Sequence, residues 1–258
     1  MSLELFNLKG RVAVVMGGTS GIGRSIALGL AAAGADVVSS GRREPLVEEL
    51  AADIEKLGRR TIRKTVDAAS RQSLDDLRDA VVAELGRVDI LVNAAGQTFR
   101  KPTHQVNENE WNQLLDINLT GSLRACQSFY EPLSQNGRGR VINIASLTSY
   151  LGFLEVTAYA VSKSGILGLT RNLAVEWAGK GINVNAIAPG VFRTELNSGL
   201  LDGTARGQEL LMRTPMKRFG DVSELIGAAI FLASDAASFV TGQCLGVDGG
   251  FLASGVNQ

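Results

Sequence analysis

Short apolar runs alternate with helical patterns along almost the whole chain. The first run, RVAVVMGG, is rich in β-branched residues and ends in glycines, and GIGRSIALGLAAAGA follows it with helix-forming residues. This order predicts a strand, a turn and a helix. Six further runs predict strands: DVVSS, TIRKTVD, VDILVNAAG, GRVINIAS, INVNAIAPG and CLGVDGG. Further helices are predicted near 45–58, 71–86, 108–134, 156–180 and 222–234.

This alternation predicts an α/β fold, a doubly wound (Rossmann) sheet of about seven parallel strands with helices on both faces. Residues 1–258 contain no repeat, low-complexity tract or linker, so they are predicted to form a single domain. The segment 193–218 is longer than an ordinary connection and is predicted to be a substrate-loop insert. Because such sheets bind ligands beyond the carboxyl ends of their strands, the residues at the strand ends are the candidates for function.

Composition narrows the class of partner. The chain carries 26 Lys plus Arg and 26 Asp plus Glu, so no field of one sign attracts nucleic acid or an anionic membrane. The first ten residues lack the apolar core of a signal peptide, and no apolar run approaches the length of a membrane span. Cys126 and Cys244 are far apart and lack CxxC spacing, so no metal site is expected. These features predict a cytoplasmic protein with a small-molecule partner.

A glycine-rich turn follows the first predicted strand. Gly17, Gly21 and Gly23 let the backbone turn sharply and approach a diphosphate, which the free N–H groups and positive end of the next helix attract. A lone glycine pattern would be a plain turn as readily. This one follows a strand and opens a helix in the first unit of the chain, so it predicts a nucleotide site.

The second strand ends in VVSSGRRE, about 20 residues beyond the glycines, where an NAD enzyme places an acidic residue against the ribose 2′-hydroxyl. No acidic residue stands at that strand end. Arg42 and Arg43 do, and a guanidinium can bind a 2′-phosphate through two hydrogen bonds. This favours NADP(H) over NAD(H). The alternative is that both are solvated loop arginines.

Tyr159 lies four residues before Lys163 at the start of a predicted helix, so both side chains lie on one face. At about 4 Å and an effective dielectric near 20, a cation stabilises a phenolate by roughly 4 kcal/mol, or about 3 pKa units before desolvation is subtracted. The pair is therefore predicted to be a proton donor and acceptor with a lowered tyrosine pKa. A tyrosine packing on a lysine stem explains the isolated spacing as well.

Six motifs in register resemble the short-chain dehydrogenase/reductase family across nearly the whole chain. They are GxxxGxG at 17–23, NAAG at 93–96, INLTG at 117–121, INIAS at 142–146, YAVSK at 159–163 and PGVFRT at 189–194. The final third is most similar to gluconate 5-dehydrogenase-like members. The resemblance implies an NAD(P)-dependent oxidoreductase that interconverts a secondary alcohol and a ketone. It also implies a homo-oligomer, a tetramer or a dimer.

The resemblance assigns roles to individual residues. It implies Tyr159 as the acid/base, Lys163 as its activator and a ribose ligand, Ser146 as the holder of the substrate oxygen, and Asn118 as part of a proton relay. The cofactor-binding residues that it implies are Gly17, Thr19, Ser20, Gly21, Ile22, Gly23, Arg42, Arg43, Asp67, Ala68, Asn93, Ala94, Ala95, Gly96, Tyr159, Lys163, Pro189, Gly190, Val191 and Thr194. Met16 replaces the usual Thr and Ala94 the usual second Asn, which removes two side chains that help to fix the sheet.

The sequence determines the substrate class less closely than the type of reaction. Cationic side chains expected near the cleft are Arg100, Lys101, Arg193, Arg213, Lys217 and Arg218, and one or two of them could bind a carboxylate or phosphate. The leading hypothesis is a sugar acid of the gluconate and ketogluconate type. The alternatives are a 3-oxoacyl-[acyl-carrier-protein] reductase and a non-catalytic NADP-sensing protein. The helix after Lys163 has a wide apolar arc, explained by a partner subunit or by burial within the subunit.

Overall fold

A computed structural model of the protein describes residues 3–194 and 198–255. Within these ranges six parallel strands form one sheet in the order β2-β1-β3-β4-β5-β6. The strands are β1 Val12–Met16, β2 Asp36–Ser40, β3 Ile90–Asn93, β4 Gly139–Ile144, β5 Ile182–Pro189 and β6 Cys244–Val247. The chain leaves β1 for β2 on one side and later returns to the other side for β3. The topological switch point therefore lies between the ends of β1 and β3.

The helices are α1 Gly21–Ala32, α2 Glu44–Lys56, α3 Arg71–Leu85, α4 Glu108–Leu115, α5 Gly121–Ser134, α6 Thr157–Trp177, α7 Ser198–Leu201, α8 Ala205–Arg213 and α9 Ile226–Ala233. Their ends follow local sequence signals. The Ser70 side chain accepts a hydrogen bond from Ser73 N at the start of α3, and Gly86 ends that helix at a φ of 81°. Asn107 and Glu110 form a capping box that begins α4.

The sheet separates two apolar layers because alternate side chains of each strand point to opposite faces. Val12, Val14 and Met16 of β1 contribute to one layer, and Ala13 and Val15 to the other. The first layer is covered by α3, α5 and α6, and the second by α1, α2 and α9. Burial on both faces explains why the strands read as continuous apolar runs. The predicted α/β architecture is confirmed.

The seventh predicted strand, 61–67, is not a strand in the described structure, and this part of the prediction is wrong. The segment runs beside β2. Its backbone is hydrogen-bonded to β2 and the residue after it only near the two ends of the segment, where Arg60 O accepts at 3.1 Å and Val66 N donates at 3.0 Å. Between them the Ser40 hydroxyl bonds the Lys64 carbonyl. A short polar side chain thus takes a carbonyl that a ladder would use, and pairing does not extend along the segment.

One predicted helix, near 108–134, is divided in two. Between α4 and α5 the residues Asp116–Thr120 form a π-helical turn, in which Gly121 N bonds Asp116 O five residues earlier. Such turns are rare and often occur at functional sites. Here the turn contains Asn118, whose side chain is fully buried.

The described part of the chain contains no helix that is both long and apolar enough to cross a bilayer. The same residues include no group of His, Cys, Asp and Glu side chains arranged to hold a metal ion. Cys126 is buried and Cys244 is partly buried, and both are free thiols.

Candidate active site

The glycine turn lies at the switch point, against the segment that follows β3. A Cβ on Gly17 would lie 2.5 Å from backbone atoms of Ala95, and one on Gly23 would lie 2.3 Å from the Gly17 carbonyl oxygen. Gly17 also has a φ of 71°, which favours glycine. The Ser20 side chain does not cap α1, so the N–H groups of the first helical turn remain open to an anion. The turn therefore has the shape and polarity that a diphosphate needs.

Two arginines border the turn at the end of β2. Arg43 Nη2 donates to Ser20 Oγ at 3.0 Å, which links it to the glycine turn. Arg42 is exposed, and its side chain makes no hydrogen bond or ion pair with the residues that the structure describes. The guanidinium of Arg42 is therefore available to a ligand phosphate. Thr19 of the glycine turn is buried, and a Cβ on Gly41 would lie 3.0 Å from its hydroxyl.

The end of β3 contributes a buried polar atom that lacks a partner. Asn93 Nδ2 donates to Asn143 Oδ1 at 2.8 Å and lies 3.3 Å from Cys126 Sγ. Asn93 Oδ1 is buried and has no hydrogen-bond partner among the described residues. A buried acceptor is normally satisfied, so this oxygen fits a donor from a bound ligand. The open helix end, the free guanidinium and this acceptor together fit a dinucleotide.

The two departures from the family pattern leave the backbone of this region in place. Met16 is buried in the apolar layer, and Ala94 N donates to Met16 O at 2.9 Å. The missing side chains therefore remove no backbone contact between the strand ends.

Further along the chain, Asp67 Oδ1 accepts from Ala69 N at 3.0 Å, and Ala68 is buried against α5.

The segment after β5 closes the other side of the crevice. Pro189 ends β5, Gly190 N bonds the end of β6 at 2.8 Å, and Val191 O accepts a hydrogen bond at 2.9 Å from the segment before α9. Thr194 Cγ2 lies 3.7 Å from the position of a Cβ on Gly21. The predicted residues of the last motif and those of the first therefore face one another.

Tyr159 and Lys163 lie in the first two turns of α6, as the spacing predicts. Lys163 Nζ is 5.7 Å from the centre of the Tyr159 ring and donates to the Ile144 carbonyl at 2.7 Å. A Cβ on Gly96 would lie 3.7 Å from Nζ, so the ammonium also faces the segment after β3. The lysine is only 6 % exposed. The pair thus lies where the ends of β3 and β4 meet α6.

The predicted lowering of the tyrosine pKa is not produced by the protein's own groups. Burial raises the pKa of the Tyr159 phenol, and a hydrogen bond with Ser146 acts in the opposite direction. Burial lowers the pKa of Lys163 from 10.5 to about 8. The stabilisation expected from a cation at about 4 Å is outweighed because desolvation opposes both charged forms.

Asn118 connects the segment after β3 to α6. Its Oδ1 accepts from Gln97 N at 2.8 Å, and its Nδ2 donates to Gln97 O at 2.9 Å and to Ser162 Oγ at 3.2 Å. Ser162 Oγ donates to Tyr159 O at 2.7 Å. The amide is thus occupied with positioning contacts. Sequence reasoning missed Gln97 and Ser162, although Ser162 stands between the two predicted residues of the YAVSK motif.

Ser146 begins a short turn after β4 that is tied to the same helix. Its Oγ accepts from Thr148 N at 3.2 Å, and its own N–H donates to Ser149 Oγ at 3.3 Å. Ser149 Oγ in turn donates to the carbonyl of Lys163 at 2.7 Å. This second contact was not predicted. The elements that carry Ser146, Tyr159, Lys163 and Asn118 are therefore linked by hydrogen bonds that run through Ser149, Ser162 and the Ile144 carbonyl.

The predicted insert, 193–218, contains α7 and α8, while its residues 195–197 lie outside the described residues. Arg206 Nη1 of α8 donates to Leu154 O at 3.3 Å, five residues before Tyr159. The end of the insert borders a cavity of about 310 Å³ whose lining includes Phe192 and Met216. The insert thus contacts the loop that leads into α6.

Comparison with known proteins gives matches over nearly the whole chain. A family model described as enoyl-(acyl carrier protein) reductase matches residues 17–252. The 2-dehydro-3-deoxy-D-gluconate 5-dehydrogenase of Escherichia coli K12 is 41 % identical over 98 % of this chain and 100 % of its own. The D-threitol dehydrogenase of Mycolicibacterium smegmatis is 39 % identical over 95 % and 94 %.

A solved structure gives the same result for the fold. The gluconate 5-dehydrogenase from Burkholderia cenocepacia J2315, in complex with NADP and tartrate, superposes with a TM-score of 0.95. It is 39 % identical, and the match covers 99 % of this chain and 100 % of that one.

Proposed function

Because the chain belongs to the short-chain dehydrogenase/reductase family and is an oxidoreductase, we propose that it interconverts a hydroxyl and a ketone on a sugar acid of the gluconate type. One observation carries the catalytic part: the segments that bear Asn118, Ser146, Tyr159 and Lys163 are held together at the nucleotide crevice by hydrogen bonds that run through Ser162, Ser149 and the Ile144 carbonyl. The substrate class is supported by whole-length similarity to enzymes named for gluconate derivatives.

We propose NADP(H) as the cofactor, which supplies or accepts the hydride when bound. The glycine turn and the first turn of α1 would hold the diphosphate, and Arg42 would bind the 2′-phosphate. Asn93 Oδ1 would accept a hydrogen bond from a ribose hydroxyl. This assignment is supported by the NADP complex of the similar Burkholderia protein.

The proton is proposed to move at the Tyr159 hydroxyl. Since burial raises its pKa, the phenol is protonated near neutral pH and is ready to donate to a ketone oxygen. In the oxidation direction the phenol must first lose its own proton, and the resulting phenolate then takes the proton from the alcohol. Ser146, whose hydroxyl acts to lower the pKa of the Tyr159 phenol, would hold the substrate oxygen beside it. Asn118 and Ser162 would fix the start of α6 so that this alignment persists.

The substrate proposal is tested by comparing NADPH consumption with 5-ketogluconate and with an acetoacetyl thioester. Turnover of the keto acid and not of the thioester is expected. Turnover of the thioester alone would replace the proposal with an acyl-carrier reductase. Tight NADP(H) binding without turnover of any carbonyl or alcohol in a broad panel would instead indicate a sensor protein.

We also propose that the chain is a single domain whose insert borders the substrate and that it assembles as a homotetramer or homodimer. Most of the apolar arc of α6 is buried within the subunit, but Val175 is 83 % exposed. Phe239, five residues before β6 in the chain, is fully exposed. We propose that a subunit contact covers these two side chains. A monomer by light scattering at micromolar concentration would contradict the assembly.

A further inference from the structure

The six cations that the sequence places near the substrate cleft are all bonded within the chain. The pairs are Arg100 with Glu155 at 2.6 Å, Lys101 with Glu110 at 2.8 Å, Arg193 with Asp202 at 2.6 Å, Arg213 with Glu209 at 3.2 Å and Arg218 with Glu224 at 2.6 Å, and Lys217 Nζ donates to Met212 O at 2.9 Å. Five of the six therefore have a carboxylate partner. An anionic substrate that is bound by one of these five side chains has to compete with the carboxylate already paired there.

The Arg100–Glu155 pair stands closest in the chain to the catalytic residues. Glu155 precedes Tyr159 by four residues, and Arg100 follows Gly96 by four. Lys101 N donates to the carbonyl of Glu155 at 2.8 Å, so the loop after β3 and the loop before α6 are held together at this point. The pair is partly buried, with side chains 43 % and 28 % exposed. It therefore forms part of the wall between the two loops that lead into the site.

Glu155 is held in an unusual backbone conformation. Its φ is +65°, in the left-handed region that non-glycine residues adopt at a conformational cost. The neighbouring carbonyl of Leu154 accepts from Arg206 of α8, so the insert supports the same loop. Three separate contacts thus place a carboxylate against Arg100 in a strained loop. These contacts fix the backbone of the loop, so the Glu155 carboxylate has a defined resting position beside Arg100.

We propose that Glu155 sets the charge preference of the substrate cleft by occupying the guanidinium of Arg100. This inference rests on the proposed function and deepens it. A sugar acid would bind by replacing the Glu155 carboxylate at Arg100, and the two carboxylates would repel each other as it enters. A neutral polyol of the same length binds with the ion pair intact. The pair therefore restrains affinity for acids and leaves affinity for neutral substrates unchanged.

The test is Glu155→Gln, which keeps the size of the side chain and removes its charge. We expect kcat/KM for D-gluconate to rise about fivefold, mainly through a lower KM, since partly exposed ion pairs contribute on that scale. For a six-carbon neutral polyol kcat/KM should stay the same. Arg100→Gln should lower kcat/KM for gluconate alone. Glu209→Gln, at the exposed Arg213 pair, is the matched control and should change neither substrate. Thermal unfolding of each variant shows whether it is folded.

The outcomes separate this inference from the function on which it rests. If the wild-type enzyme oxidises neither gluconate nor the polyol, the proposed function fails and the inference fails with it. If it oxidises gluconate but Glu155→Gln leaves the ratio of the two kcat/KM values unchanged, the inference alone is overturned. An unchanged ratio in folded Arg100→Gln would also overturn it, because the guanidinium would then have no part in acid binding.

Discussion

Replacing Lys163 with methionine is expected to abolish turnover and to stabilise the protein near neutral pH. The pKa of the buried ammonium falls from 10.5 to about 8, and each pKa unit corresponds to about 1.4 kcal/mol. Keeping this charge inside the protein therefore costs roughly 3 kcal/mol at pH 7. The methionine loses the hydrogen bond to the Ile144 carbonyl, which offsets about 1–3 kcal/mol. The variant should thus be about 0–2 kcal/mol more stable at pH 7.

The dependence of the free energy of unfolding on pH gives a more specific test of this prediction. Because the folded pKa lies below the unfolded one, the unfolded chain binds more protons between pH 8 and 10.5, and the wild type gains stability as the pH rises through that window. The stability difference between Lys163→Met and wild type should fall by roughly 2 kcal/mol between pH 7 and pH 9.5.

Urea unfolding at the two pH values measures this difference directly. Lys180→Met, at an exposed lysine, is the matched control for the substitution itself. A difference for Lys163→Met that stays constant, or that grows with pH, would refute the reasoning, because the ammonium would then carry no penalty in the folded protein.

Three further predictions concern single side chains. Tyr159→Phe should lower kcat by at least about 100-fold and leave NADP(H) affinity within about twofold in a fluorescence titration, since only the proton donor is removed; near-normal kcat would exclude the tyrosine as acid/base. Arg42→Asp should shift the ratio of kcat/KM values for NADP and NAD toward NAD, and an unchanged ratio would show that the guanidinium does not bind the 2′-phosphate. Asp235→Asn should destabilise the fold by about 1–3 kcal/mol in urea unfolding, because Arg11 is buried and bonds this carboxylate at 2.5 Å; unchanged stability would show that the buried guanidinium does not need this partner.

Much of the fold could be predicted because buried positions are occupied by apolar residues, and the pattern of apolar residues is visible in the sequence. All five residues of β1 are buried, and they read as a continuous apolar run. The same logic misled at 61–67, where Ile62 and Val66 are buried as in a strand. Side-chain pattern reports which residues face the core. It does not report whether the backbone completes a hydrogen-bond ladder, so the missing seventh strand could not be foreseen.

The site was predictable to the extent that side chains define it. The motifs at the strand ends meet as the sheet topology requires, and Tyr159 and Lys163 share a helix face. The groups that hold these residues are largely backbone atoms, such as the Ile144 carbonyl and both polar atoms of the Gln97 backbone. Every residue has such atoms, so the sequence does not distinguish them. The direction of the Tyr159 pKa shift was also missed because desolvation depends on burial that only coordinates reveal.

The π turn at 116–120 carries one residue more than a regular helix would need. In an α-helix a step of four residues overshoots a full turn by about 40°, so Leu114, Asn118 and Ser122 would spiral off a common line. The wider turn absorbs this overshoot, and all three are buried. A chain one residue shorter at this point would form a uniform helix, and these three side chains would no longer point in one direction. In an alignment, a single-residue gap here would therefore indicate a protein that keeps the fold but lacks this arrangement of the catalytic site.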